Sequence, residues 1–331
     1  MANRITVDGT TPDLDGPAEA IRNGQLVVFP TETVYGLGAN ALDSAAVQRI
    51  FQAKGRPASN PLIVHVADID QARRLAVHWP ETAQLLTERF WPGPLTIVLR
   101  KSSYVPNAVT AGGATVALRC PGHSVALQLV RESGVPIAAP SANLSGYLSP
   151  TQVAHLAPEI VAAAAWIVDG GPCHGGIEST VLDLESNPPA ILRHGLIRSK
   201  VLGEALGIDL QHGPPRNEDP PRSPGLLLRH YAPSCPVALV ESGTDPDAVL
   251  DRMSLHRYSK VAYLMVHRAE APQPAIRLVA MPDNPELYAR VLYDTLHQID
   301  AERFDVIVVE MPPDTSEWNA IRDRLQRASI R

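Results

Sequence analysis

Strand-like and helix-like patterns of apolar residues alternate irregularly from residue 18 to about residue 205. Short runs rich in β-branched residues predict strands at Gln25–Phe29, Leu62–Val66, Leu95–Arg100, Thr115–Arg119, Pro136–Ala139, Trp166–Asp169, Ser179–Leu184 and Ala190–Arg193. Apolar positions at helical spacing predict helices at Ala18–Asn23, Ser44–Ala53, Ile69–Ala76, Glu81–Phe90, Ser124–Ser133, Thr151–His155 and Arg198–Leu206. Some strands follow one another without a helix, which favours a mixed sheet with helices packed on it over a purely parallel sheet.

Proline interrupts this pattern in the second half of the chain. Seven prolines fall between Gly207 and Pro236, which predicts a stiff, extended linker over residues 207–235. Beyond it we predict strands at Val237–Glu241, Val261–Val266, Ile276–Val279 and Asp305–Glu310, and helices at Pro246–Leu255, Pro285–Glu302 and Ser316–Arg327. This alternation predicts a small Rossmann-like α/β domain at 236–331, after an N-terminal domain at 1–206.

Composition narrows the class of protein. The chain has 331 residues, 45% of them hydrophobic, which suits a soluble protein of about two domains. Its net charge of −6 gives the whole molecule no electrostatic bias toward nucleic acid or anionic lipid. The three cysteines are widely spaced and fit neither a zinc site nor a disulfide framework. We see no transmembrane run and no signal peptide, so we expect a cytoplasmic protein without a membrane partner.

The segment from Phe29 to Val66 concentrates polar residues beside two predicted strand ends. Lys54, Arg56, Asn60 and His65 follow in a close succession that packing alone does not require. Lys-Gly-Arg-Pro by itself is also typical of a helix C-terminus, where cations and a glycine are favoured. A single strand histidine is more often a hydrogen-bonded core residue than a ligand. Together, these residues predict a polar pocket that holds an anion.

Alternation along two strands indicates which side chains share a face. Successive side chains point to opposite faces, so His65 lies on the face of Ile63, and Arg119 lies on the face of Thr115 and Ala117. Two small residues before an arginine leave room for a ligand carboxylate, which arginine binds through two hydrogen bonds. The alternative is an edge strand with a solvated arginine.

Further segments carry candidate ligands, each with a structural alternative. Pro140–Gly146 has small hydroxyl and amide residues, which suit either a phosphate and ribose site or a turn. Ser149 begins a Ser-Pro-Thr triplet that is also typical of a helix N-cap. The glycine-rich loop at 169–180 offers either backbone amides to an anion or a flexible hairpin. Arg193, at a strand end, is ambiguous by itself.

Two common nucleotide-binding signatures do not fit. Gly36–Ala41 (GLGANA) imitates the dinucleotide fingerprint, but six residues separate it from the preceding strand, and Arg56 stands where an acidic residue is expected. No GxxxxGK[ST] segment occurs in the sequence. We therefore expect no NAD site and no P-loop.

Ten segments in chain order resemble the threonylcarbamoyl-AMP synthase family, in its two-domain form with a YrdC-like catalytic domain and a small C-terminal domain. They read PTETVYGLG, KGRPASNPLIVH, WPGPLT, TVALRCPGH, PIAAPSANLSG, SPT, DGG, GIESTV, ILRHG and SPGLLLRHYAP. Each segment is weak evidence, whereas ten in register are specific. The resemblance implies a YrdC-like mixed twisted sheet with flanking helices, followed by a smaller Rossmann-like α/β domain.

Members of that family make L-threonylcarbamoyladenylate and pyrophosphate from L-threonine, bicarbonate and ATP, and the product feeds N6-threonylcarbamoylation of adenosine 37 in tRNA. The resemblance implies that L-threonine is held by Thr33, His65, Arg119 and Ser179. It implies that ATP is bound by Arg56, Asn60, Thr115, Ser141, Ser149, Arg193 and Tyr231. Lys54 would lie against the polyphosphate, and Lys54 and Arg56 are the implied catalytic residues. Mg²⁺ would arrive with ATP, since no carboxylate cage for a dedicated metal is visible.

The same resemblance implies a lid and a downstream partner. The linker, through Tyr231, would close the pocket, and the tRNA threonylcarbamoyl-transfer machinery would take the product. Two departures affect closure: Leu226-Leu227-Leu228 stands where relatives carry Met and polar residues, and Asp323 stands where they carry Asn. The rival interpretations are a carbamoyltransferase of the YrdC-like class and an RNA-binding protein. The CxxC motifs of such carbamoyltransferases do not occur in this sequence. The net charge of −6 argues against stable nucleic-acid binding.

Overall fold

The computed structural model describes residues 2–7, 12–213, 222–223, 230–244, 260–266 and 276–329. The chain divides into two compact units, one formed by Met1–Ser145 with Ser149–Leu226 and the other by Gly146–Leu148 with Leu227–Arg331. The predicted helix at 246–255 and the leucines at 226–228 lie outside the described residues. Among the helices that are described, none has the length and apolar character needed to cross a membrane.

A mixed sheet of eleven strands organises the first unit. Its strands are β1 (Asn3–Thr6), β2 (Val27–Phe29), β3 (Gly36–Asn40), β4 (Ile63–His65), β5 (Leu95–Arg100), β6 (Thr115–Arg119), β7 (Ile137–Ala138), β8 (Trp166–Asp169), β9 (Thr180–Asp183), β10 (Ala190–Arg193) and β11 (Gln211–His212). They lie in the order β1-β8-β2-β3-β7-β4-β6-β5-β9-β10-β11. Strands β4 and β6 are parallel, whereas β5 and β6 are antiparallel, so the predicted mixed sheet is confirmed.

The helices of this unit are α1 (Asp15–Arg22), α2 (Ser44–Lys54), α3 (Ile69–Leu75), α4 (Glu81–Phe90), α5 (Asn107–Thr110), α6 (Ser124–Ser133), α7 (Pro158–Ala163) and α8 (Ser199–Leu206). Helix α2 begins where the Asp43 carboxylate accepts a hydrogen bond from the Ala45 amide. It ends at Gly55, whose φ of 57° closes the helix in the left-handed conformation. The predicted helix over 151–155 is instead a three-residue 3₁₀ turn, Val153–His155.

Sequence patterning missed strand β3, because its glycines give no apolar alternation. A Cβ atom on Gly38 would lie 2.6 Å from the ring of Phe29 and 2.7 Å from Ile137. The glycine therefore lets β3 lie close to side chains of its neighbours β2 and β7. GLGANA is thus a central strand rather than a phosphate-binding turn. Strands β1 and β11 and helices α5 and α7 are short and were also missed.

The two faces of the sheet carry different apolar clusters. Val64 and Leu118 belong to a large core that also includes helix residues such as Ile50 and Leu86. The opposite face carries a cluster of five residues, all from strands: Ile63, Val98, Ala117, Val181 and Leu192. We call it the strand cluster. The predicted side-chain alternation of β4 and β6 is therefore confirmed, and His65 and Arg119 lie on the face of the strand cluster.

The second unit contains a separate, fully parallel sheet. Its strands are β12 (Val237–Val240), β13 (Val261–Met265), β14 (Ile276–Ala280) and β15 (Val306–Glu310), in the order β12-β15-β13-β14. Two described helices, α9 (Pro285–Ala301) and α10 (Asn319–Ser329), belong to the same unit. Asn284 caps α9, because its side chain accepts hydrogen bonds from the amides of Glu286 and Leu287. The predicted small α/β unit with a parallel sheet is confirmed.

Candidate active site

A row of polar side chains crosses neighbouring strands on the face that carries the strand cluster. His65 on β4 and Arg119 on β6 are paired in register. Thr96 on β5 and Ser179, which precedes β9, follow, and their hydroxyl oxygens lie 2.8 Å apart. Thr96 is two residues from Val98 and therefore shares its face. We call His65, Arg119, Thr96 and Ser179 the polar row.

Arg119 contacts the turn between β2 and β3. Its Nη2 atom donates a hydrogen bond of 3.0 Å to the Thr33 hydroxyl and lies 2.7 Å from Oε1 of Glu32. Thr31 shapes this turn, because its hydroxyl lies 2.8 Å from that of Thr33 and donates to the carbonyl of Val34. The structure thus brings three of the residues predicted for threonine, Thr33, His65 and Arg119, together around one guanidinium group.

Arg193 links the other end of the polar row to β10. Its Nε atom donates to the Ser179 carbonyl at 3.1 Å, and Nη2 donates to the Ser179 hydroxyl at 3.0 Å. A residue predicted for the nucleotide and one predicted for threonine therefore share a contact. Gly195 permits this approach, since a Cβ atom there would lie 2.3 Å from the Thr180 nitrogen.

Burial controls the charges around Arg119. Burial and then the Arg119 charge lower the pKa of His65 to about 3, so the imidazole is neutral near pH 7. Burial raises the pKa of the Glu32 carboxyl, but Arg119 and the Gly122 amide more than offset it, and the pKa is below its usual value. At neutral pH the Arg119 end of the polar row therefore carries the positive charge of Arg119, and Glu32 beside it carries a negative charge.

Several buried polar atoms of the first unit have no hydrogen-bond partner among the described residues. They are Oε1 and Oε2 of Glu32, Nδ2 of Asn60, Nδ1 of His65, Nε of Arg119 and Nδ1 of His123. Buried polar atoms in native proteins are almost always hydrogen-bonded, because an unmade bond there costs free energy. The atoms of Glu32, His65, Arg119 and His123 belong to residues that also interact electrostatically, and they are candidates for contact with a polar ligand.

Arg56 braces the turn that follows helix α2. Its Nε atom donates to the Asn60 carbonyl at 3.2 Å, and Nη2 donates to the Pro61 carbonyl at 2.9 Å. These contacts leave the amide nitrogen of Asn60 buried and unpartnered among the described residues. Two of the predicted ATP residues, Arg56 and Asn60, therefore form one local unit just before β4.

Lys54 is fully buried and holds a second loop. Its Nζ atom donates to the carbonyls of Ser141 and Asn143, and the Asn143 side-chain oxygen lies 3.4 Å away. The Ser141 hydroxyl in turn donates to that side-chain oxygen at 2.5 Å. Burial, with Arg56 beside it, lowers the pKa of Lys54 well below the usual range. The predicted polyphosphate contact of Lys54 stays a prediction, and the lysine fixes the loop that carries Ser141.

The remaining predicted nucleotide residues of this unit lie on or near the same sheet. Thr115 begins β6, four residues before Arg119 and on the same face, and is half-buried. Ser149 is fully buried, and its hydroxyl donates to Oε1 of Glu178 at 2.6 Å.

Sequence reasoning assigned no role to Glu178 or to Glu32. Both lie inside segments that carried the resemblance, GIESTV and PTETVYGLG, next to residues that were assigned.

The glycine-rich loop at 169–180 is tied to the turn between β2 and β3. The Tyr35 hydroxyl donates to the Gly171 carbonyl at 2.7 Å, and the Gly175 amide donates to the Glu32 carbonyl at 2.8 Å. The Gly171 amide also donates to the Asp169 side chain at 3.1 Å. Five of the loop's amides therefore donate to the protein itself, and they are those of Gly170, Gly171, Cys173, Gly175 and Thr180.

Tyr231 belongs to the second unit. Its ring packs against Tyr293 at 5.9 Å between centroids, and the Arg324 guanidinium lies 4.9 Å from its centroid. Tyr231 has a φ of 60°, which is rare for a residue with a side chain. The departure at Asp323 has a visible role here, because its carboxylate pairs with Arg324 at 2.8 Å and with Arg327 at 2.9 Å. The predicted contact of Tyr231 with ATP stays a prediction.

In the described part of the chain, no three His, Cys, Asp or Glu side chains are grouped to hold a metal ion. The three cysteines, Cys120, Cys173 and Cys235, form no disulfide. Burial raises the pKa of the Cys120 and Cys173 thiols to about 12, so both are protonated near pH 7. Neither thiol therefore adds a negative charge to the site.

Comparisons with known proteins identify the family of the chain. A family model described as "Telomere recombination" (Sua5/YciO/YrdC) matches residues 19–195, and one described as "Threonylcarbamoyl-AMP synthase, C-terminal domain" matches residues 196–329. The chain is 44% identical to the threonylcarbamoyl-AMP synthase of Pyrococcus abyssi, over 93% of this chain and 92% of that protein. It is 42% identical to the Bacillus subtilis enzyme of that name, over 96% and 93% of the two chains.

A solved structure extends the likeness to three dimensions. The crystal structure of P. abyssi Sua5 complexed with L-threonine superposes with a TM-score of 0.90 at 40% sequence identity, and the match covers 99% of this chain and 97% of that one. Both units of the present chain therefore have counterparts in that protein. The order of the motifs, the fold and these two family models agree, and the chain belongs to the threonylcarbamoyl-AMP synthase family.

Proposed function

We propose that this protein is an L-threonylcarbamoyladenylate synthase, which converts L-threonine, bicarbonate and ATP into L-threonylcarbamoyladenylate and pyrophosphate. The observation that carries the proposal is the buried polar row, with its unpartnered atoms, on a sheet of this family's fold. P. abyssi Sua5, whose structure superposes on this chain, has been crystallised with L-threonine. The carbamoyltransferase alternative has no comparable support.

The polar row suits an α-amino acid that carries a hydroxyl group. The Arg119 guanidinium keeps an Nε–H without a partner among the described residues, and this group and the positive charge suit a carboxylate. His65 is neutral and adds a polar contact without a second positive charge. The hydroxyls of Thr33 and Ser179 both donate and accept, so they match the substrate hydroxyl. Threonine at this end of the row satisfies atoms that the protein leaves unpartnered.

Strand β6 separates the two ends of the site. Thr115, Ala117 and Arg119 face the same way, and a strand rises by about 3.3 Å per residue, so Arg119 and Thr115 lie roughly 13 Å apart. Ala117, between them, is small and leaves the floor flat. This length accommodates an amino acid joined through a carbamoyl group to a nucleotide, with the amino acid at Arg119 and the nucleotide toward Thr115.

The chemistry proceeds through a carbamate. The threonine amine combines with bicarbonate to give the carbamate and water, and a carbamate oxygen then attacks the α-phosphorus of ATP and releases pyrophosphate. The site contributes position and charge, as in other displacements at phosphorus. Arg56 offsets phosphate charge directly, and Lys54 acts through the loop that it holds at Ser141 and Asn143. Exclusion of water by the buried row protects the labile carbamate.

Mg²⁺ would arrive with ATP, and it would supply positive charge that stabilises the pyrophosphate leaving group. The protein's own groups hold the amino acid and shape the nucleotide end.

The product is an activated threonylcarbamoyl group, and we assign it to the machinery that transfers this group to adenosine 37 of tRNA. We place the reaction in the cytoplasm, where ATP and tRNA are available. The rival function, RNA binding without turnover, requires a basic surface and stacking aromatic residues. The net charge of −6 and the 5% aromatic content argue against it.

Pyrophosphate release from ATP tests the proposal. We expect release only when L-threonine and bicarbonate are both present, with each omitted in turn as a control. Arg119→Ala is expected to abolish the threonine-dependent release, because the substrate carboxylate loses its charged partner. Release that is independent of threonine, or RNA affinity without any turnover, would refute the proposed function.

A further inference from the structure

Glu32 is the one acidic side chain that contacts Arg119 among the described residues, and the mechanism above gives it no role. Its Oε1 atom lies 2.7 Å from Nη2 of Arg119. Both carboxylate oxygens are shielded from solvent. The donors beside them are the Arg119 guanidinium and the Gly122 amide, and neither makes a hydrogen bond of full geometry. The Gly175 amide fixes the Glu32 backbone by donating to its carbonyl at 2.8 Å. A buried, rigidly placed carboxylate therefore keeps accepting capacity on both oxygens.

The groups around Glu32 leave it as the one negative charge at this end of the row. Its carboxyl is ionised at neutral pH, because Arg119 and the Gly122 amide more than offset the effect of burial on its pKa. Burial lowers the pKa of both His65 and His123, so neither imidazole carries a charge near pH 7. The nearby thiols of Cys120 and Cys173 are protonated.

A packing role does not account for this arrangement. A buried ion pair contributes little net stability unless the remaining lone pairs are satisfied by hydrogen bonds. For Glu32, the Arg119 and Gly122 donors lie close but make no bond of full geometry. A free α-amino acid carries a carboxylate and an ammonium group on the same carbon. A guanidinium and a carboxylate side by side match those two charges, one for one.

We propose that Glu32 binds the α-ammonium group of the amino-acid substrate, so that Arg119 and Glu32 together recognise the zwitterion. The inference rests on the proposed function, which places the substrate carboxylate at Arg119. The ammonium group supplies further hydrogen-bond donors to carboxylate oxygens whose accepting capacity Arg119 and Gly122 do not exhaust. Glu32 thereby selects a free amino acid over a carboxylic acid that lacks the amino group.

The test compares two ligands that differ only in that group, L-threonine and (R)-3-hydroxybutanoate, which is threonine without its amine. Binding of each is measured by calorimetric titration to the unaltered protein, to Glu32→Gln and to Glu19→Gln. The last is a matched control, since Glu19 is exposed on helix α1. ATP affinity, which is expected to be unchanged in both variants, reports on the integrity of the fold.

We expect Glu32→Gln to weaken threonine binding by roughly 10- to 100-fold, the range for a charged hydrogen bond. We expect 3-hydroxybutanoate to bind more tightly to this variant than to the unaltered protein, because the repulsive carboxylate is gone. Glu19→Gln is expected to match the unaltered protein with both ligands.

A purely structural role for Glu32 predicts something else. If it only holds Arg119 in place, both ligands lose affinity together in Glu32→Gln, and the inference is overturned. Unchanged threonine binding overturns it as well, as does failure of 3-hydroxybutanoate to gain affinity. An unaltered protein that binds ATP but no threonine would refute the proposed function itself, which separates that failure from failure of the Glu32 assignment.

Discussion

Nη1 of Arg222 lies 2.8 Å from Oδ2 of Asp183, a carboxylate at the end of β9 that is fully buried. The same carboxylate accepts hydrogen bonds from the Ser186 hydroxyl and the Glu185 amide. Arg222 belongs to the proline-rich segment that the sequence predicts as a linker. The ion pair therefore fixes one point of that segment to the large sheet.

We expect Arg222→Ala to lower the free energy of unfolding by about 1.5–3 kcal/mol, because a buried carboxylate loses a charged hydrogen-bond donor. Urea unfolding at pH 7 measures the change. Arg100→Ala, at an exposed position, serves as the control and is expected to stay within about 0.5 kcal/mol of the unaltered protein. Equal stability of the two variants would show that the contact with Asp183 contributes nothing.

The neutral state of His65 makes stability depend on pH. Its pKa is about 3 in the folded chain, against an ordinary value of about 6.5. Between those values the unfolded chain binds a proton that the folded chain does not, so the free energy of unfolding falls as the pH falls, by about 1.4 kcal/mol per pH unit.

Urea unfolding at pH 7 and pH 5 checks this dependence. We expect the loss of stability on acidification to be about 2 kcal/mol smaller in His65→Gln than in the unaltered protein. His78→Gln, at an exposed position, is the matched control and is expected to keep the full loss. An identical pH dependence in all three proteins would contradict a neutral, buried His65.

Arg56 makes two backbone contacts that lysine cannot reproduce. Its Nε and Nη2 atoms donate to the carbonyls of Asn60 and Pro61, and a lysine has one terminal nitrogen in place of the planar fork. We expect Arg56→Lys to lower kcat/KM for pyrophosphate release at least about tenfold, which corresponds to about 1.4 kcal/mol. Arg56→Ala is expected to lose more.

Circular dichroism separates lost activity from lost fold in these Arg56 variants. Both are expected to retain the secondary structure of the unaltered protein. Full turnover in Arg56→Ala would remove the phosphate role of this residue, whereas full turnover in Arg56→Lys alone would show that charge is sufficient.

Gly195 permits the close approach of β10 to Ser179. A Cβ atom at this position would lie 2.3 Å from the Thr180 nitrogen and 2.4 Å from the Ser179 carbonyl carbon, both of them backbone atoms. We expect Gly195→Ala to cost about 1–3 kcal/mol of stability and to raise KM for threonine, because Ser179 must move. Thermal melting and pyrophosphate release measure the two effects.

Gly36→Ala provides the contrast. The nearest atom to a Cβ there is 3.3 Å away, in the ring of Phe29, which is a side chain and can shift slightly. We expect a smaller loss of stability in this variant. If Gly195→Ala is as stable and active as Gly36→Ala, the backbone contact at Ser179 is not needed for the site.

Features that depend on residues close together in the sequence, such as the alternation of side chains along a strand, were predicted correctly. Alternation in β4 and β6 placed His65 and Arg119 on one face, and the strand cluster confirms that placement. The glycines of β3 concealed a central strand, since its place in the sheet rests on close packing against Phe29, a contact that no local pattern records.

Contacts between distant segments could not be inferred from the sequence. Lys54 is buried and donates to the carbonyls of Ser141 and Asn143, which lie almost ninety positions further along the chain. In the sequence, a lysine that anchors a distant loop looks the same as a lysine that binds phosphate at the surface. Glu32 was overlooked for a related reason. Its charge becomes informative only beside Arg119, and a Thr-Glu-Thr turn by itself is ordinary turn chemistry.

The polar row draws its side chains from positions 65 to 179, so no short fragment of the chain contains them all. A growing chain therefore lacks the complete row until Ser179 has been synthesised and β9 has paired with β5. Once formed, the row couples ligand supply to the lifetime of the protein, because a ligand at about 100 times its Kd adds roughly 2.7 kcal/mol to the native state. Under the proposed function threonine is such a ligand, and its binding adds to the stability of the native state.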